Sequence, residues 1–186
     1  MRERRFKKKR IPRCVFLVVC EGETEKTYVE ALKHYYRLPI TIKTKVSGNK
    51  INSRLVNQYI KELDLTDNDE YKVFYIYDAD IEHIVEKLKS LQGSMILSNP
   101  CIELWYILHY KSHTSHLLSD NAVRLLTSCH TIWKAYTKGS LSNEQSNGLI
   151  HGCKDAIIRS KKLSWPDNPS TNMYLLIEAL EKCKTS

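Results

Sequence analysis

CVFLVVCEGETEKTYVEALK, residues 14–33, decides how the chain is read. It opens with a continuous apolar run, the pattern of a strand covered on both faces. Glu21, Glu23 and Glu25 follow at once, and from residue 24 to about 38 apolar side chains recur at Tyr28, Leu32, Tyr35 and Tyr36. That is a helical spacing, and Pro39 stops it. A buried strand that turns through acids into a helix is the opening unit of a parallel sheet covered by helices.

The unit then repeats. Residues 40–47 (ITIKTKVS) alternate like a half-exposed strand, GNKINS reads as a loop, and residues 53–63 carry apolar positions at Leu55, Val56, Tyr59, Ile60 and Leu63. YKVFYIY, residues 71–77, is a second buried strand, ended by Asp78-Ala79-Asp80. Residues 81–91 have a helical period, SMILS (94–98) is a short apolar strand, and Asn99-Pro100 reads as an N-cap with proline at the first helical position. The order βαβαβαβα predicts an α/β fold, a parallel sheet flanked by helices. Further on, a helix is expected from Ser119 to about residue 138, stopped by Gly139. Ser142 and Gln145 form a capping box for another helix to about residue 163. WPDNPST is a break, with residues 168–171 as the start of a last helix. These later helices have no strand to pair with. They read as a helical layer, residues 112–186, continuous with an α/β core over 14–111 in one domain.

Composition bounds the rest. The chain has 186 residues, enough for one sizeable core, with 42% hydrophobic and 27% charged residues. No apolar run approaches the roughly 20 residues of a membrane helix, and the basic N-terminus leads into too few apolar positions for a secretory signal. A cytoplasmic location without membrane contact is expected. Cysteines 14, 20, 101, 129, 153 and 183 form no CxxC pair and read as reduced, buried thiols. Of the formal charge of +8, residues 2–13 carry eight Lys or Arg against Glu3, hence +7, which leaves the body near neutral. This tail is expected to be disordered. Arg4, Arg5, Lys7, Lys8, Lys9 and Arg10 are its candidate nucleic-acid contacts, with a solvated tail as the other reading.

The acids acquire a meaning from the fold. In open parallel sheets the functional crevice lies beyond the carboxyl ends of the strands. Glu21 follows the first strand there, Asp78 and Asp80 follow the third, and Glu103 lies near the start of the helix after the last, leaning back toward its N-terminus. Carboxylates a few ångströms apart repel and raise one another's pKa. A divalent cation relieves this, and a small hard ion such as Mg²⁺, or Mn²⁺, prefers carboxylate oxygen and water. Asp78 and Asp80 would hold it, and Glu21 either completes the coordination or manages the proton. Glu23 reads as a solvated acid at a helix N-terminus. His109, His113 and His116 suggest a surface loop rather than zinc, because no acidic or cysteine partner lies in that run. Trp105, Tyr106, Leu108 and Tyr110 read as core.

VVCEGETEKTY, YDAD, SNPCIELWYILHY and NPSTNMYLLIEAL, in that order, resemble the RloB-like Toprim family, related to the OLD-family nucleases and AbiLii abortive-infection proteins. The resemblance runs from Cys14 to Leu180. It implies a Toprim, Rossmann-like sheet in a compact form, since only a short helix separates DAD from the next strand. It further implies Mg²⁺-dependent phosphodiester cleavage of DNA or RNA in bacterial anti-phage defence, by abortive infection. Glu21 matches the Toprim glutamate, Asp78 and Asp80 the metal-chelating aspartates, and Glu25 the further acid of the OLD-type motif. Lys161 falls where a basic residue would meet the scissile phosphate, or lies on a solvated helix face. A homodimer or a larger ATPase partner is compatible with the resemblance. The competing readings are a non-catalytic nucleic-acid or protein-binding module, against which the intact acids argue, and nucleotidyl transfer, which needs additional domains.

Overall fold

The computed structural model describes residues 13–184. The basic contacts expected at Arg4, Arg5, Lys7, Lys8, Lys9 and Arg10 lie outside the described residues. The βα alternation holds: β1 (Cys14–Cys20), α1 (Glu23–Tyr36), β2 (Thr41–Val46), α2 (Ser53–Lys61), β3 (Glu70–Asp78), α3 (Glu82–Lys89), β4 (Ser94–Asn99) and α4 (Glu103–Leu108). Then come α5 (Ser119–Cys129), α6 (Asn143–His151), α7 (Cys153–Ser160), β5 (Ser170–Thr171) and α8 (Tyr174–Lys184). The sheet order is β2-β1-β3-β4-β5, the first four strands parallel and β5 antiparallel to β4. This is a Rossmann-like layout.

The sheet divides two apolar layers, because alternate residues of a strand face opposite sides. Phe16, Val18, Phe74, Ile76 and Ile96 face α1, α4 and the C-terminal helices, and Val15, Leu17, Val19, Tyr75 and Leu97 face α2 and α3. β1 is buried along almost its whole length, which accounts for its unbroken apolar sequence. The first layer is the larger. Its centre is aromatic: Tyr106 stacks on Trp133 at 5.5 Å, and Trp105 donates to the hydroxyl of Tyr28 at 2.8 Å. Among the described residues no helix is long and apolar enough to cross a membrane. All six cysteines are free thiols, but only Cys20 and Cys101 are buried; Cys14, Cys129, Cys153 and Cys183 are partly exposed.

The second half departs from its expected outline in several places, and burial or strand pairing explains each. The helix expected to reach residue 138 ends at Cys129, because His130 is extended and Trp133 turns into the aromatic cluster. The helix expected over 142–163 keeps its capping box but divides at Gly152, a poor helix former packed against His109. Asn99 does not cap a helix: it ends β4 in register with Ser170, and α4 starts only at Glu103. Residues 170–171 are therefore a strand, not a helix start, and the C-terminal half is not purely helical. Asn172 prolongs the pairing, its side-chain oxygen accepting from Leu97 N–H at 2.6 Å and its amide donating to Met95 O at 3.1 Å. His109 is no surface residue either. It is buried, its Nδ1 lies 2.8 Å from Trp105 O, and burial pushes its pKa down to about 4.

Candidate active site

Strand order reverses direction between β1 and β3, since the chain goes from β1 outward to β2 and then returns past β1 to β3. At such a switch point the loops leaving neighbouring strands diverge and open a crevice. Glu21 leaves β1 there, and Asp78 is the last residue of β3. The two are joined directly: Glu21 Oε2 accepts from the Asp78 N–H at 2.9 Å, and the Glu21 N–H donates to Ile76 O at 2.9 Å. Asp78 Oδ1 in turn accepts from the Ile102 N–H at 3.0 Å, which ties the end of β3 to the entrance of α4. Glu25 folds back onto its own helix terminus and accepts from the Gly22 N–H at 2.7 Å. Thus each of these carboxylates is oriented by a backbone N–H.

Glu103 differs. It is only 1% exposed, and one oxygen, Oε1, accepts from the Tyr136 hydroxyl at 2.9 Å and lies 3.6 Å from Lys138 Nζ. Its other oxygen, Oε2, is buried without a hydrogen-bond partner. Tyr136 and Lys138 come from the segment after Trp133, which is clipped to the first turns of α1. Gly139 N–H donates to Thr24 Oγ1 at 2.9 Å, and Thr27 Oγ1 donates to Gly139 O at 3.0 Å. Gly139 has φ +84°, a left-handed conformation that glycine adopts without steric cost.

Burial first, then Glu25, Glu21, Glu103 and Asp80, push the Asp78 carboxyl up to about 9. Burial also raises Glu21, against the relief given by the Asp78 N–H, with Asp80 adding to the rise and Lys138 opposing it. Glu25 is raised by burial, with Glu21 and Glu103 contributing. For Lys138, burial works against the ammonium, but Glu103, Cys101 and Asp78 outweigh it and its pKa rises. The crevice thus gathers five acidic side chains about one lysine. All five present hard carboxylate oxygens.

The acids are coupled but not yet a cage. Among the described residues no three His, Cys, Asp or Glu side chains form a group that could hold a metal ion. Glu21, Asp78 and Glu25 are each turned toward a backbone donor. Cavities of about 540 Å³, between α2, α3 and the starts of β3 and β4, and about 610 Å³, between α1 and α6, lie away from the acids.

The structure therefore brings Glu21, Glu25, Asp78, Asp80 and Glu103 into one electrostatic group. It does not bring Lys161 there. Lys161 ends α7, where its Nζ pairs with Glu178 of α8 at 2.6 Å and lies 4.9 Å from the centre of the Tyr174 ring. The lysine beside the acids is Lys138, and sequence reasoning misses both it and Tyr136. Gly139 is the available signal: beyond stopping a helix, it is clipped twice to α1, and this places its neighbour in the crevice.

A mostly parallel sheet with carboxylates collected at its switch point defines a Rossmann-like α/β protein with an acidic crevice. The chain belongs to the RloB-like family, whose model, described as RloB-like protein, matches residues 16–180. No curated protein and no solved structure matches it.

Proposed function

We propose that the protein is a divalent-metal-dependent nuclease that cleaves phosphodiester bonds of DNA or RNA, in bacterial defence against phage. The observation that carries this reading is the gathering of Glu21, Asp78 and Glu103, with exposed Asp80 within electrostatic reach, and burial sufficient to push Asp78 up to about 9. Buried acids that disfavour one another's charge form a site suited to a bound cation. The donor set fits Mg²⁺ or Mn²⁺, all carboxylate oxygens, and Glu103 Oε2 is a buried oxygen still lacking a partner. Asp78, Asp80 and Glu21 would hold the ion, with Glu103 beside them. When bound, the metal supplies Lewis-acid activation of water and neutralisation of the leaving oxygen.

The chain's own groups divide the remaining work. Tyr136 fixes one oxygen of Glu103 and leaves the other free to face a cation. Lys138, on a segment anchored at Gly139, offers a fixed positive charge to a substrate phosphate, the task first expected of Lys161. The Ile102 N–H keeps Asp78 aimed into the crevice. Incubating the full chain with end-labelled DNA and RNA in Mg²⁺, Mn²⁺ or EDTA tests the proposal. Cleavage in either metal and none in EDTA is expected; no cleavage of any substrate class under all conditions would overturn it.

A further inference from the structure

Of the three tryptophans, Trp105 and Trp133 are fully buried, whereas Trp165 is 45% exposed. Trp165 thus leaves a large π-face accessible from solvent. Its loop is not loose. Asp167 N–H donates to Ser164 O at 2.8 Å, Asn99 Nδ2 donates to Pro166 O at 3.1 Å, and Asn168 exchanges two hydrogen bonds of 2.8 Å with the backbone of Leu117. A ring held by such a frame presents its face without a large ordering cost on binding.

The frame also fixes where the ring stands. Asn99 is the last residue of β4, and its neighbour Ser98 is in register with Asp78 on β3. Pro166 thus hangs from the carboxyl end of the strand adjacent to the one that ends in Asp78. Ile102, whose N–H holds Asp78, lies three residues beyond Asn99. The Trp165 loop accordingly stands at the carboxyl ends of the strands, one strand over from Asp78; exposed Lys161, paired with Glu178, and exposed Lys162 precede it in the chain.

We propose that Trp165 is a stacking platform for an unpaired nucleobase of the substrate, next to the nucleotide whose phosphate meets the carboxylates. The inference rests on the nuclease reading and narrows it to single-stranded or locally unpaired nucleic acid. Stacking suits this position for a physical reason: every base has a π-face, so one rigid indole holds a strand without reading its sequence. A paired duplex keeps its bases stacked on one another and offers the ring no such face. Exposed Lys162 beside the loop favours an anionic over an apolar partner, and on the nuclease reading that partner is a nucleic-acid strand.

The indole itself gives the test. Because the other two tryptophans are buried, quenching of tryptophan emission by a saturating single-stranded oligonucleotide in EDTA reports on Trp165. We expect saturable quenching, about tenfold weaker binding of that oligonucleotide by Trp165→Ala, most of the affinity retained by Trp165→Phe, and little change for a duplex of the same sequence. Circular dichroism and the melting temperature of both variants should match the wild type. Unquenched emission while a labelled oligonucleotide is bound, or equal affinity of wild type and Trp165→Ala, overturns the stacking role alone. A Trp165→Ala chain that binds and cleaves normally but loses self-association would reassign the ring to protein docking and equally overturn it. Wild type that neither binds nor cleaves any nucleic acid overturns the underlying nuclease reading instead.

Discussion

Substituting Asp78 by Asn separates the electrostatic account of the crevice from a merely structural one. In the unfolded chain an aspartate loses its proton near 3.9. In the fold, burial and the surrounding acids push Asp78 up to about 9. Between these values the folded chain holds a proton that the unfolded chain has lost. The sign follows: Asp78's contribution to metal-free stability is largest below about pH 4, declines as pH rises, and is gone above about 9. Its slope is at most about 1.4 kcal/mol per pH unit, and in a chain of this size each kcal/mol moves Tm by about 2–4 °C. Asp78→Asn cannot ionise, so it should flatten the curve, leaving the shallower slope due to Glu21 and Glu25, which are raised as well. Thermal melts in EDTA from pH 5 to 9 measure this directly. The same proton opposes metal. At pH 7 the carboxyl is mostly neutral, so the apparent Mg²⁺ affinity of the wild type should rise with pH, by up to about tenfold per unit well below 9 and less as 9 is approached. Parallel Tm curves for wild type and Asp78→Asn in EDTA would refute the reasoning.

Lys138→Gln should reduce cleavage by at least about 100-fold while moving Tm little, because the lysine end of its 3.6 Å pair with buried Glu103 is half exposed and Tyr136 still holds that oxygen; single-turnover assays and a melt check both, and a matching loss on Lys161→Gln would argue against the assignment. Tyr136→Phe leaves buried Glu103 without a donor on either oxygen, which should cost about 1–3 kcal/mol in urea unfolding. Gly148→Ala in α6 would place a methyl 2.5 Å from the Tyr110 hydroxyl, and a destabilisation of about 1–3 kcal/mol is expected by the same measurement. Deleting residues 2–12 should weaken nucleic-acid binding and flatten its salt dependence, the slope of log K against log salt falling by about 0.7–0.9 for each phosphate the tail neutralises, with turnover at saturation retained.

The first half of the chain is legible because its signals are local. β1 and β3 are buried on both faces and so read as apolar runs, and α1 to α3 bury one face and so read as periodic. The acids can be placed from strand ends alone, since Glu21 and Asp78 need only the topology to become neighbours. The second half depends on partners remote in sequence. β5 exists because Ser170 and Thr171 meet Asn99 and Ser98, and two polar residues carry no strand signal of their own. Trp133 breaks a good helical pattern because Tyr106 offers it a stacking surface. In sequence Lys138 looks like any other surface lysine, and only the clip of Gly139 to Thr24 and Thr27 sets it apart. Lys161 stands out by its neighbours in sequence, although its partners in space are Glu178 and Tyr174.

The clip between Gly139 and α1 spans 115 residues from Thr24, and the pairing of Ser98 with Thr171 spans 73. During synthesis the acidic group would therefore emerge long before the lysine and the closing strand that complete its surroundings. A nascent chain that has reached α4 carries the carboxylates without the donors that hold Glu103, and the β4 edge remains open. On the proposed nuclease reading, this order of assembly would be a form of timing: the surroundings of the acids are complete only with the last portion of the fold, away from a half-made chain on its ribosome.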